Sequence, residues 1–493
     1  MKADIRPFAK MVLMTFFAEM SVALAFFLVY RLIGDEFGTS GVGEYSLVKK
    51  LAGFLVPVFF AGIGIGLPRY IAIAQSRAER GSYLKVALLF VATTVFLSFL
   101  ILNAFPVKFS KLFFGSENYV AFIFPLSVFL IGNAAHILVY CYLRGRLKVK
   151  LFNLLQITNL ALIPVALLCG FDFSLEKFVF YYGIAIFLTS AFLILFFAGD
   201  FFHSHKNTEF RKKFSELMAY SAPRVGTDFA LFGILLMGPI FAAHFSSLED
   251  AGFFAIGQSL VISAGSIISP LGIILLPKIS QLAARQGVES LAGDVRNFIK
   301  AILFFSLFLF FQVSIFLDLI VRFWLGDDFS GAILPAQLIF FAAVPYMFYI
   351  GARDLLDAFE KKSINATNLM ITLFLYILIS SVLIIGNNFL PIISLSAAFS
   401  LAILLLGLLS YQSLNKIFKR RNISDILFIA KYLTINLILA AFALFSRPFL
   451  GNSLVSLLFF ELAIGGIYCA TLIIFKEKWA LAVISRLMIF QEK

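Results

Sequence analysis

The sequence predicts an all-α polytopic membrane protein of about 14 transmembrane helices, arranged as two six-helix lobes in pseudo-two-fold repeat with two further helices at the C-terminal end. Three observations carry that expectation. The 493 residues are 61% hydrophobic and only 14% charged, with a mean hydropathy of +0.99, far above the apolar share of a soluble domain. The charged residues gather between long apolar runs. The early runs also match later ones at a fixed offset.

A helix needs about 20 apolar residues to cross the roughly 30 Å hydrocarbon layer. Runs of that size lie near 8–30, 42–66, 84–105, 119–142, 151–171, 175–198, 219–245, 252–276, 298–320, 332–352, 366–386, 390–411, 425–445 and 453–475. The first begins with basic residues, but Glu19 interrupts it and it is too long for a signal-peptide core, so it is expected to remain as the first helix.

An even number of spans puts both termini on one side. With that side cytoplasmic, the inner segments hold 31 of the 40 Lys and Arg, and the outer loops hold Arg31, Lys108, Lys111, Lys177, Arg322 and Arg447. The net charge of +13 is therefore a positive-inside bias and not the footprint of a nucleic-acid binder. The expected location is the inner (plasma) membrane, with both termini cytoplasmic.

At an offset of 209 residues Glu19 falls on Asp228, Gly43 on Gly252, Leu67-Pro68-Arg69 on Leu276-Pro277-Lys278, and Arg144 on Arg353. Polar, Gly and Pro matches are the informative ones, because apolar matches come free in such a chain. The stretch "FGSENYVAFIFP" (114–125) likewise resembles "LGDDFSGAILP" (325–335). The expected organisation is an N-terminal lobe at 1–205, a C-terminal lobe at 206–411, and two additional helices with a tail at 412–493. Parallel repeats of six spans are the layout of two-lobed transporters, whose substrate path runs between the lobes.

Several chemistries find no support. There is no G-x-x-x-x-G-K-[ST] motif for a nucleotide, and the G-x-G of "SGVGEY" sits at a membrane boundary rather than between a strand and a helix. His136, His203, His205 and His244 show no metal-ligand spacing, and Cys141, Cys169 and Cys469 form no CxxC pair. No metal, cofactor or catalytic residue is expected. A polytopic glycosyltransferase or polysaccharide polymerase is the enzyme alternative, and the outer loops near 106–118 and 321–331 offer little from which to build a catalytic site.

Charged groups inside the apolar runs are the candidate site residues, since an intramembrane charge faces a bundle interior or a wet cavity. Glu19 lies near the middle of the first run and its repeat match Asp228 lies in the seventh. Both are candidates for carrying a proton or binding a cation; the alternative is a structural pair between helices. Lys49 and Lys50 lie in the outer part of the second run. Either they snorkel to headgroups, or they line a cavity that attracts an anion, the reading favoured by a chain that otherwise keeps its positive charges inside. Arg224 stands four residues before Asp228, on the same helix face. Asn133 and His136, one turn apart, are candidates for hydrogen-bonding sugar hydroxyls or each other, and Lys431 is expected to snorkel to the cytoplasmic face.

The stretch "YRLIGDEFGTSGVGEYSLVKKLAGFLVPVFFAGIGIGLPRYIA", followed by spans in two related halves, resembles the polysaccharide transporter branch of the multidrug/oligosaccharidyl-lipid/polysaccharide exporter superfamily. Its best known members are the Wzx-type O-antigen and capsule repeat-unit flippases. The resemblance covers nearly the whole chain through a loose pattern of Gly, aromatic and Pro-Arg positions. It implies a flippase that moves undecaprenyl-diphosphate-linked oligosaccharides to the outer leaflet by alternating access, with a cationic cavity and coupling to a proton or sodium gradient. Lys49, Lys50 and Arg224 fit the cationic role, and Glu19 and Asp228 the coupling role. Membrane lipids and a polysaccharide polymerase or assembly protein are the implied partners. The transporter alternative is a MATE-like small-molecule exporter; that branch usually has twelve spans, and the two extra helices favour a lipid-linked substrate.

Overall fold

The computed structural model describes residues 5–196, 210–222, 225–286, 291–359, 364–386, 390–418, 423–450, 454–477 and 479–480. Every regular element among them is helical. In chain order they are α1 (Ile5–Phe60), α2 (Ile63–Ile73), α3 (Arg77–Ala104), α4 (Pro106–Phe114), α5 (Ile123–Gly145), α6 (Val149–Ile157), α7 (Ile163–Gly170), α8 (Leu175–Phe196) and α9 (Phe210–Ser221). They continue as α10 (Val225–Phe245), α11 (Leu248–Gln286), α12 (Ala292–Leu325), α13 (Ile333–Phe340), α14 (Ala343–Phe359), α15 (Ile364–Ile385), α16 (Pro391–Ile417), α17 (Ile423–Leu450) and α18 (Leu454–Ile474). Twelve helices among the described residues are long and apolar enough to cross a membrane, or 13 if the bent pair around residue 341 is one span. The chain is a multi-pass membrane protein.

The first of these helices contains two of the apolar runs expected from the sequence. Gly38, at φ 69 and ψ −165, is not helical; glycine adopts such backbone angles without the penalty a side chain would incur. In an unbroken helix Tyr30 and Ser46 would stand about 24 Å apart. Instead Tyr30 Oη lies 2.9 Å from Ser46 Oγ, and the Tyr30 and Tyr45 rings are 5.7 Å apart, so the chain reverses at Gly38.

The chain folds as two compact units, one at Ala9–Ala255 and another formed by Met1–Phe8 with Ile256–Lys493. In the first unit, α1 meets the start of α11 through bare backbone: a Cβ on Gly252 would lie 2.8 Å from Gly43 N, and one on Gly43 would overlap the Leu248 carbonyl. Gly43 and Gly252 are the pair that the sequence offset matches. In the same unit, α6 and α7 are joined by a π-helical turn, Thr158–Leu162. Such turns rotate the side chains that follow and are frequent at functional sites.

Helix α9 carries the polar sequence "FRKKFSELMAYS" and is fastened to α2 and α3. Lys213 Nζ lies 2.9 Å from Glu79 Oε1, and the Tyr83 hydroxyl donates to Glu216 Oε2 at 2.6 Å. The Tyr70 hydroxyl donates to the Glu216 carbonyl at 2.9 Å, and the Arg69 guanidinium sits 4.1 Å from the Tyr220 ring centre. Burial alone would lower the Lys213 ammonium, but hydrogen bonds to Glu79 and Tyr83 outweigh it and hold the group above the usual lysine range.

In the second unit, α13 bends away from α14 by 51°. The last two helices pack against α12. Phe304 and Phe308 of α12 stack on Tyr468 at centroid distances of 4.2 and 4.8 Å, and the Tyr468 hydroxyl donates to the Phe304 carbonyl at 2.9 Å. Asn436 of α17 donates to Tyr468 Oη at 3.1 Å, and Arg447 of α17 is ion-paired with Asp318 of α12.

Candidate functional site

The unit at Ala9–Ala255 contains a polar seam assembled from α1, α5, α6 and α8. Near the start of α1, Thr15 and Glu19 are one turn apart and share a face. Across from them, the run "NLLQITN" places Asn153, Gln156 and Asn159 at spacings of three residues along one side of α6 and the π turn. Asn153 Nδ2 donates to Thr15 Oγ1 at 3.2 Å, and Gln156 Nε2 donates to Glu19 Oε1 at 3.0 Å. One turn further, Asn159 is fully buried. Its amide nitrogen lies 3.1 Å from His136 Nδ1 of α5 and 3.1 Å from Ser190 Oγ of α8, while its carbonyl oxygen accepts from Thr189 Oγ1 at 2.6 Å.

Glu19 is thus an exposed carboxylate tied to its own unit through Gln156. His136 is buried and bonded to Asn159 rather than to Asn133, which is half-buried on the same helix. The second arm of α1 brings Lys49 to this interior. Its ammonium lies 5.6 Å from the Phe129 ring centre on α5 and 5.8 Å from that of Tyr182 on α8, within cation–π range. Lys49 and Lys50 are both half-buried, and neither is ion-paired among the described residues. A positive charge held against aromatic faces without a carboxylate partner keeps its attraction for an anion.

The remaining candidates are elsewhere. Asp228 is half-buried near the start of α10, beside Phe229, whose ring packs 4.9 Å from that of Phe54 on α1. Arg224, His203 and His205 lie outside the described residues, as does the side chain of Lys278. Lys431 is ion-paired with Glu477, its ammonium 4.2 Å from the Phe475 ring centre. No group of three or more His, Cys, Asp or Glu residues suited to a metal occurs among the described residues.

Sequence reasoning singled out Glu19, Lys49 and His136 but missed Gln156 and Asn159, which bond Glu19 and His136, and the further seam residues Thr15, Asn153, Thr189 and Ser190. The signal available was the three-residue spacing of amides in "NLLQITN", which puts successive polar groups on one helix face.

Among the described residues the chain is all-helical and multi-pass, with a polar seam inside one of its helical units. The model of the polysaccharide biosynthesis protein family matches residues 8–283, more than half of the chain, and the chain belongs to that family. No curated protein matches it in sequence. Among solved structures it is similar to a lipid II flippase MurJ in an inward closed conformation, with 14% identity, TM-score 0.70, and coverage of 94% of this chain and 100% of that one. It is also similar to an inward-facing multidrug resistance MATE transporter of the MOP superfamily, with 11% identity, TM-score 0.64, and coverage of 80% and 94%. A third is the Vibrio cholerae MATE transporter VcmN in a bent form, at 14% identity, TM-score 0.54, and coverage of 85% and 97%. At these identities the likeness is one of fold.

Proposed function

We propose that this protein is a flippase that carries a lipid-linked oligosaccharide, of the undecaprenyl-diphosphate class, from the inner to the outer leaflet of the plasma membrane. It works by alternating access, coupled to a proton or sodium gradient, with both termini cytoplasmic. Membership of a polysaccharide biosynthesis family supports the substrate class, and the fold supports transport rather than catalysis. The observation that carries the reading is the pair of lysines, Lys49 and Lys50, held within the helical unit without carboxylate partners among the described residues. Ammonium groups there suit a diphosphate headgroup. An inside-negative potential favours outward movement of each negative charge by about 2.3 kcal/mol per 100 mV. Glu19 and Asp228 are the proposed coupling carboxylates, and a polymerase or assembly protein is the proposed recipient of the product.

The test is binding of a polyprenyl diphosphate to the purified protein. Replacing both lysines by Gln is expected to weaken binding at least tenfold, and replacing both by Arg to preserve most of it. Unchanged affinity in the double Gln variant would leave the lysines as interfacial anchors and remove the main support for a diphosphate substrate. In cells, loss of the protein should strand lipid-linked repeat units on the cytoplasmic face. Repeat units found on the outer face but unpolymerised would point to a polymerase, and normal repeat-unit export with lost drug resistance to a MATE-like exporter.

A further inference from the structure

The last helix carries a carboxyl group on its packed face. Glu461 shares that face of α18 with Ile464, Gly465 and Tyr468, which follow it by three, four and seven residues. The face lies along a stripe of α12 formed by Phe304, Phe308, Gln312 and Phe316. Tyr468 stacks on Phe304 and Phe308, a Cβ on Gly465 would lie 3.7 Å from Phe308, and the Phe460 and Phe316 rings are 6.3 Å apart. Contacts that climb one helix descend the other, so the two are antiparallel and Glu461 comes level with Gln312. Gln312 is 4% exposed, and both its amide nitrogen and its amide oxygen lack a hydrogen-bond partner among the described residues. Glu461 Oε1 is likewise buried and unpaired.

The surroundings at this level are apolar. Helix α17 presents Ala440 and Ala443, and Phe442 stacks on Phe460 at 6.1 Å. The charged groups of these helices lie toward their ends and are engaged there: Asp318 with Arg447, Lys431 with Glu477, and Lys300 against the Phe428 ring. Tyr432 and Tyr468 belong to the aromatic stack, and Cys469 is exposed. No cation faces Glu461 from α12 or α17 among these groups.

Glu461 as a residue is half-buried, but its buried, unpaired Oε1 and the unpaired buried amide of Gln312 are each costly, and one proton lowers both costs. A carboxylic acid donates its O–H to the amide oxygen while its other oxygen accepts from the amide N–H, giving two hydrogen bonds and four satisfied atoms. An ionised carboxylate has no donor to offer the Gln312 oxygen. We propose that Glu461 and Gln312 form a proton-binding site that ties α18 to α12, closing as a doubly hydrogen-bonded acid–amide pair when the proton arrives from water and keeping only the amide N–H bond to the carboxylate when it returns there. No other bond changes. The site is separate from Glu19 and Asp228, and it does not depend on which substrate the protein carries.

Infrared difference spectroscopy of the full-length protein in liposomes, titrated with pH, tests it. The expected result is a pH-dependent carboxylic-acid carbonyl band that is lost in Glu461→Gln and that moves to the position of a less hydrogen-bonded acid in Gln312→Leu. Glu461→Gln replaces an acid by its near-isosteric amide, and an unaltered size-exclusion profile confirms that each variant is folded. An acid band that survives Glu461→Gln, or one that Gln312→Leu leaves in place, overturns the proposal. So does loss of the band on adding sodium at constant pH, which would assign the site to an alkali cation. Because the readout involves no transport, it stands or falls apart from the flippase reading.

Discussion

Asn159 shows how a single residue holds the polar seam together. It bonds His136, Thr189 and Ser190 on two other helices. Hydrogen bonds between helices in a membrane average about 0.6 kcal/mol, so Asn159→Leu, which keeps the volume but removes three of them, is expected to cost about 2 kcal/mol. Unfolding of the purified variant in a detergent titration measures this, and an unchanged midpoint would show that the network contributes nothing to stability. At the same scale, Lys49→Arg is expected to keep the contact with Phe129 and Tyr182, because a guanidinium also rests well on aromatic faces. The site was partly legible in the sequence at this scale. Glu19, Lys49 and His136 stand out because a charge or imidazole in an apolar run is unusual. Asn159 and Thr189 do not, since polar uncharged residues are ordinary in such helices and their partners are fixed only by packing. Glu461, in "SLLFFELAIGG", carries the same signal as Glu19, and the rule that picks out one reaches the other.

For whole elements, close packing and surface fastening make opposite demands. The crossing of α1 and α11 leaves no room for a side chain at Gly43, where a Cβ would overlap the Leu248 carbonyl. Gly43→Ala is therefore expected to destabilise by about 1 to 3 kcal/mol, the usual cost of overpacking. Gly466, with nothing within 4 Å of its Cβ position, is the control: Gly466→Ala should stabilise α18 by up to about 1 kcal/mol through helix propensity. Equal midpoints for the two variants would contradict this account of the crossing. Fastening of α9 depends on charge instead. Since the folded protein holds the Lys213 ammonium above the usual lysine range, the stabilisation is fully present below the unfolded lysine value and is lost only as pH rises through the folded one. Lys213→Met should release α9 at neutral pH, read as faster amide exchange in residues 210–221, while wild-type α9 stays protected into alkaline solution. The break at Gly38 was less legible than these contacts. Two separate apolar runs were expected, and no hydropathy rule shows that a single glycine is the whole of the turn between them.

The chain as a whole was most legible in its hydropathy and charge. Most of the apolar runs found their helices because twenty residues of hydrocarbon-compatible surface admit few other structures, whereas the run near 332–352 is divided between α13 and α14 at a 51° bend. The bias of Lys and Arg predicts that tags at both ends are reached by a membrane-impermeant reagent only from the cytoplasmic side; labelling of either end from outside intact spheroplasts would reverse the proposed orientation. The repeat expected from scattered Gly, Pro and charged positions rests on the sequence, and the two residues of one of its matches pack against each other in the structure. Gly43 meets Gly252, the residue the sequence offset matches to it, and a Cβ on either would run into the other helix's backbone. The crossing therefore needs a small residue at both positions at once, and neither can grow while the other compensates.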